Sequence, residues 1–272
     1  MSFTRLGAVG YLNARPLVYG LEDDPSRFAL RFDVPSTCAE LLHAGTIDLG
    51  MIPAIELFAR PDYAIVPGAS IASEGPVASV AVYTDRPTGS IRSIAVDNSS
   101  RTSVALLKVL CAERFGISPT FSTFAPDLAT MLAACDAALI IGDLALFTDH
   151  EAAGLRKIDL GEEWTAMAGL PFVWAFWAGR VSAAPPDVIA ALNEARDRGV
   201  AASDALAREY VRNDPTRVPL AMRYLREHIQ YGLGPRCRSG LQRYYQLAAA
   251  HGIVPGPAEP RFHQAEEVSG SA

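Results

Sequence analysis

The sequence is short of cysteine, of long apolar runs and of positive charge, and each shortage removes a class of function. Four cysteines in 272 residues, Cys38, Cys111, Cys135 and Cys237, lie far apart with no CxxC pair and no histidine at metal-ligand spacing. That scatter excludes a disulfide framework and reads as buried free thiols. Even the very apolar stretch 170–178 falls well below the roughly 18 residues of a bilayer-spanning helix, so no membrane partner is expected. The opening residues, MSFTRLGAVGYLNARPLVYG, interrupt a short apolar stretch with glycine and arginine and offer no small-residue cleavage site, which predicts a cytoplasmic protein. Lys and Arg number 24 against 30 Asp and Glu, a net charge of -6 with the two signs mixed along the chain. Without a basic stripe to meet a phosphate backbone, a nucleic-acid partner is not expected. GxSxG, P-loop, GxGxxG and HExxH patterns are all missing. His43, His150, His228, His251 and His263 share no motif and read as surface or capping residues, so no metal site is expected.

What is present is a chain that is 50% hydrophobic and 20% charged, long enough to bury a full core. Short apolar strands at 6–9, 31–34 and 48–52 alternate with helical segments, the rhythm of a wound α/β sheet. Between the second and third, Thr37 and Glu40 suit a capping box, Ala39, Leu41 and Leu42 an apolar face, and Gly45 a helix end. A second α/β run has strands at 80–83, 94–96, 121–124 and 137–141, with helices from about Thr102 and Leu128. A strand at 172–178 then leads into a helical segment over 186–251, with stops at Gly232, Gly234 and Gly252. Extended crossings at 80–84 and 173–178 would join two lobes, the first made of 1–82 plus 175–254 and the second of 83–174, with a flexible tail at 255–272. A cleft between lobes, at strand carboxyl ends and helix amino ends, is where such an architecture binds small ligands.

The sharpest local pattern is Asn98-Ser99-Ser100-Arg101-Thr102-Ser103, which follows a strand and opens a helix ending at Gly116. Free amides and the helix dipole there favour an anion, although ordinary capping by one or two hydroxyls accounts for part of the pattern. Ile52-Pro53 precedes a second helix start able to donate an amide to a carboxylate, or simply to turn the chain. Asn13, beyond the first strand, can donate and accept at the cleft mouth, and Ser79 enters the crossing strand. Gly142-Asp143 ends a strand on the same side, where Asp143 equally suits a helix cap. Trp164, Trp174 and Trp177 read as core and lobe-packing residues. The residues alone reach a small-anion cleft and stop there.

Taken in order, YLN at 11–13, IP at 52–53, SEGPVAS at 73–79, SSRTSVALL at 99–107, IGD at 141–143, DLGEEW at 159–164 and GLPFVWAFWA at 169–178 resemble the chorismate dehydratase family of the futalosine route to menaquinone. The resemblance spans about 5–180; beyond that the chain matches only in being helical. It implies a two-lobed periplasmic-binding-protein-like fold of type II, no metal or organic cofactor, and conversion of chorismate to 3-[(1-carboxyvinyl)oxy]benzoate with loss of water. It also implies that Asn13 and Ser79 meet the reacting C3/C4 region, Asn13 orienting the departing hydroxyl or its water. Ser99, Ser100, Arg101 and Thr102 would cradle a carboxylate, with Ile52, Gly142 and Asp143 completing the site. For the base, Glu74, Asp143 and the substrate's own enolpyruvyl carboxylate all stay open. Competing readings are a transporter's solute-binding protein, a sister enzyme releasing a dihydroxynaphthoate, and an effector-binding regulatory domain. Oligomeric state is not legible.

Overall fold

The computed structural model describes residues 3–97, 99–256 and 259–264. The first sheet is built from β1 (Thr4–Val9), β2 (Phe28–Asp33) and, after α1 (Pro35–His43), β3 (Leu49–Pro53), followed by β4 (Tyr63–Ser73). The chain then enters a second sheet of β5 (Val80–Thr84), β6 (Ser93–Asp97), β7 (Thr120–Phe124), β8 (Ala137–Ile141) and β9 (Arg156–Asp159). Its helices are α2 (Arg101–Leu110), α3 (Leu128–Ala134), α4 (Gly142–Phe147) and α5 (Leu160–Ala168). β10 (Phe172–Arg180) returns to the first sheet, and α6 (Pro186–Ala201), α7 (Ser203–Tyr210), α8 (Val218–Arg223), β11 (Gln230–Gly232) and α9 (Pro235–Ala250) complete the chain. The six-stranded order is β11-β4-β10-β3-β1-β2 and the five-stranded order β7-β6-β8-β5-β9. β1 runs parallel to β2 and β3, whereas β10 lies antiparallel between β3 and β4. β6 is parallel to β7 and β8, and β5 is antiparallel to β8 and β9.

β3, β5 and β8 are buried at every position, as strands flanked on both faces must be, so they read as apolar runs rather than as alternation. Trp164 of α5, Phe172 of β10 and Tyr244 of α9 meet edge to face at 4.8–6.2 Å, tying the second lobe's last helix to the first lobe's sheet.

Several expectations are corrected. The expected crossings at 80–84 and 173–178 are ordinary sheet members, β5 and β10; the chain passes between sheets at 74–79 and 169–171. No Thr37–Glu40 capping box forms, because Pro35 with its preset φ starts α1 two residues earlier, and Glu40 is drawn instead to Arg101. Pro53 closes β3 and precedes a 3-10 turn, Ala54–Ala59. The helical segment is broken by β11, which contains Gly232, while Gly234 precedes α9 rather than ending a helix. Part of the expected tail is docked: Arg261 O accepts from Ile65 N at 2.8 Å and His263 N donates to Ile65 O at 2.9 Å. His263 is therefore buried, and Cys135 is only half-buried. The expected tail residues 257–258 and 265–272 lie outside the described residues, as does Asn98.

Candidate active site

Where the lobes meet, β1, β3, β6 and β8 all point their carboxyl ends into one cleft. Its walls carry Asn13, Ser79, Ser99, Ser100, Arg101, Thr102 and Gly142 together with Tyr11, Val77 and Trp174.

One wall is the start of α2. Asp97, at the end of β6, accepts from Ser99 N at 2.8 Å and from Ser99 Oγ at 2.7 Å, which turns the chain sharply into the helix. Burial pushes the Asp97 carboxyl up, against the pull of those Ser99 bonds. Ser100 takes the cap position with no side-chain cap bond. Among the described residues the amides of Arg101, Thr102 and Ser103 find no hydrogen-bond acceptor, and the positive end of the helix dipole stands with them at the cleft. The Thr102 Oγ1 accepts from Ile55 N at 3.2 Å, which leaves its proton able to donate. The Arg101 guanidinium is engaged with Glu56 at 3.0 Å and Glu40 at 2.8 Å, so its backbone, not its charge, faces the anion site.

The opposite wall comes from the 3-10 turn Leu12–Val18, which follows β1. Asn13 Oδ1 there is buried with no hydrogen-bond partner among the described residues. A buried amide oxygen without a partner costs about 1–3 kcal/mol, so this one is held ready for a donor that no described residue supplies. Tyr224 OH donates to Ser79 Oγ at 2.6 Å, and both residues are fully buried. Burial raises the Tyr224 phenol far above its ordinary value, with Ser79 and then Asn13 pulling the other way, so it remains a protonated donor. Because Ser79 accepts from Tyr224, its own proton is free to point at a ligand.

Gly142 opens α4 with φ +66, and its amide donates to Ser79 O at 2.8 Å. A Cβ there would stand 2.8 Å from the Tyr11 ring. Asp143 does not cap α4 and is not among the residues lining the cleft: its Oδ1 accepts from Leu12 N at 3.2 Å and its Oδ2 from Tyr210 OH. Burial raises the Asp143 carboxyl, opposed first by Tyr210 and then by Leu12. Ile52 is fully buried in β3 and does not line the cleft; its neighbour Pro53 does, but has no N–H to offer. Glu74 points elsewhere, onto Arg236.

Residues 4–250 match the family described as menaquinone biosynthesis. The chain belongs to that family. It is 29% identical to a chorismate dehydratase of Thermus thermophilus over 95% of this chain and 97% of that protein. Among solved structures, a protein from Archaeoglobus fulgidus superposes with TM-score 0.71 at 18% identity, covering 92% of this chain and 98% of its own. The periplasmic aliphatic sulphonate-binding protein of Escherichia coli follows with TM-score 0.60 at 18% identity, over 100% and 95% of the two chains. A Candida albicans protein with the generic periplasmic-binding-protein fold reaches 0.68 at 11% identity, over 99% and 100%. The fold is thus the two-lobed periplasmic-binding-protein-like α/β fold of type II, with its cleft between lobes and a helical C-terminal segment. Among the described residues no helix is long and apolar enough to cross a membrane, and no group of three or more His, Cys, Asp or Glu is placed to hold a metal.

Sequence reasoning missed Tyr210 and Tyr224, which reach the site from α7 and from the turn after α8. No local motif marks them, since tertiary folding alone brings them to Asp143 and Ser79. Asp97 was within reach: an acid immediately before a Ser-rich helix start is a turn former.

Proposed function

We propose that this chain is a chorismate dehydratase, converting chorismate to 3-[(1-carboxyvinyl)oxy]benzoate and water within the futalosine route, in the cytoplasm. The observation that carries the reading is the Asn13 Oδ1, unpartnered among the described residues, beside the Tyr224–Ser79 hydroxyl pair, across a cleft from amides at the start of α2 that find no acceptor among the described residues. Membership of the menaquinone family and the chain-long likeness to a chorismate dehydratase support it.

On this reading the amides of Arg101, Thr102 and Ser103 hold the ring carboxylate. Loss of the C3 proton places negative charge on that vinylogous carboxylate, so donors aimed there stabilise the developing charge. Asn13 Oδ1 accepts from the departing C4 hydroxyl, and Ser79 donates to the same region. Asp143 and Glu74 are poor bases here, the first spent on Leu12 and Tyr210 and the second on Arg236. That leaves the substrate's enolpyruvyl carboxylate as the favoured proton acceptor; the proton it takes from C3 passes to the C4 oxygen as the C4–O bond breaks, so that water leaves and the carboxylate is regenerated.

Purified, chelator-treated protein incubated with chorismate should yield a product lighter by one water, seen by chromatography and mass spectrometry and absent from the enzyme-free control. Asn13→Ala should lower kcat by about 10²–10³-fold while chorismate still binds, the range for removing one group that acts on the transition state. Binding without turnover by the wild-type chain would instead favour a small-carboxylate binding protein; the same fold serves binding of sulphonates in the Escherichia coli neighbour.

A further inference from the structure

The segment that carries the chain from the first sheet to the second is held in an unusual shape. Ala78 has φ +63, the one non-glycine residue at positive φ among those described. Ser79 N donates to Val77 O at 2.8 Å, closing a three-residue γ-turn with Ala78 at its centre. A γ-turn with positive φ is rare and strained, and persists only where the surroundings fix it. Here they do. Asp159 Oδ2 accepts from Ala78 N at 2.7 Å and Oδ1 from Val77 N at 3.0 Å. Lys157 Nζ donates to Ala78 O at 2.6 Å. Asp159 Oδ1 also caps α5, accepting from Gly161 N at 2.9 Å and Glu162 N at 3.2 Å, so one buried carboxylate serves four amides. The fit is tight enough that a Cβ on Gly161 would lie 2.7 Å from Gly75 O and 3.0 Å from Val77 N.

The residue that leaves this turn is Ser79. With its carbonyl held by Gly142 N at 2.8 Å and its hydroxyl by Tyr224, its side chain has one direction available. An unstrained turn would rotate Ser79 along the strand and carry Oγ away from Tyr224. We propose that Asp159 is a positioning residue that acts through Ala78: it holds the left-handed γ-turn, and the turn aims the Ser79 hydroxyl at Tyr224 and the cleft. The role given to Ser79 rests on the dehydratase reading; the aiming itself does not.

Two readouts separate these claims. In chorismate turnover, Asp159→Asn should lower kcat by about 10–100-fold with KM changed less than about threefold, since a misplacement near 1 Å costs up to that much in rate. Because glycine adopts positive φ without strain, adding Ala78→Gly should recover most of the kcat lost by Asp159→Asn, judged against Ala78→Gly alone. A plain helix-capping role would show a lowered melting temperature and no rescue, and would overturn the proposal, as would Asp159→Asn with wild-type kcat. The second readout is crystallographic and needs no activity: the Ser79 Oγ–Tyr224 OH bond should be broken in Asp159→Asn and restored in the double variant. If the wild-type chain leaves chorismate unchanged, the dehydratase reading fails while the crystal structures still decide the aiming. Should Asp159→Asn not fold, Lys157→Met loosens the same turn from its carbonyl side and carries the same expectations.

Discussion

At the scale of single residues the cleft is governed by one glycine and one acid that a ligand need not touch. Gly142 sits at φ +66 beneath the Tyr11 ring, so Gly142→Ala meets both a disfavoured backbone and an aromatic ring 2.8 Å away. A loss of about 1–3 kcal/mol in urea unfolding is expected, together with weaker ligand binding as Tyr11 moves; a stability unchanged from wild type would show that the ring yields freely. Asp143 behaves differently. Burial holds its carboxyl above the ordinary value, so the folded chain keeps this proton more tightly than the unfolded chain does. The associated stability is present in full below the ordinary carboxylate pKa of about 4 and is lost as pH rises through the raised value. Asp143→Asn carries no such charge and can keep the Leu12 contact. Its melting temperature should gain on wild type as pH is raised from about 4 to 8, with some slope left because Asp97 is raised too. Parallel profiles for the two proteins would remove Asp143 from the pH response.

At the scale of elements, the turn that bears Asn13 is held from behind by α6. A Cβ on Gly199 would lie 2.1 Å from Pro16 O, so the helix and the 3-10 turn meet backbone to backbone. Gly to Ala within a helix ordinarily stabilises by about 1 kcal/mol. Here the sign should reverse: Gly199→Ala forces α6 off the turn, lowers the melting temperature and displaces Asn13, so turnover falls although the substitution is remote from the cleft. A stabilised and fully active variant would refute that coupling. The same contact shows why the sequence was legible in some places and not in others. β1, β3, β5 and β8 announce themselves as apolar runs bounded by turns, and the SRTS helix start by its hydroxyls. β4, eleven residues long, was missed because Pro67-Gly68 in its middle reads as a turn, yet Gly68 at φ +93 only bends a strand that pairs on both sides of it. β11, three residues long, has too little pattern to find. Of the candidate site, Asn13 and the α2 start stand out in the sequence because each follows an apolar strand, and Ser79 because it leads into one. The pairing of the Arg101 guanidinium is not legible in the sequence, because its partners Glu40 and Glu56 are 61 and 45 residues away.

At the scale of the molecule, the cleft lies on the seam between the two lobes. Residues of both sheets line it, Val9, Pro53 and Trp174 from the first and Val80 and Ile141 from the second, so any parting of the lobes widens it. What holds them is visible along the seam: Asp143 on Leu12 and Tyr210, Ser79 on Tyr224, and above all Arg101, which leaves α2 to pair with Glu40 and Glu56 of the first lobe. The Glu40 pair is exposed and contributes little, but Glu56 is buried and also bonded to His43 at 2.8 Å. Removing its cationic partner leaves a buried carboxylate short of a donor, which favours a state in which water reaches it. Arg101→Ala should therefore shift the unliganded protein toward an open form, read as a larger radius of gyration in small-angle scattering at low salt. Wild type should move the same way as salt screens the exposed part of the seam. Ligand should then close the variant at a cost, raising KM more than it lowers kcat, because part of the binding energy is spent on closure. If instead the guanidinium reached the ligand directly, Arg101→Ala would weaken binding with no change in the radius of the free protein, and the seam would have to be held by Asp143 and Ser79 alone.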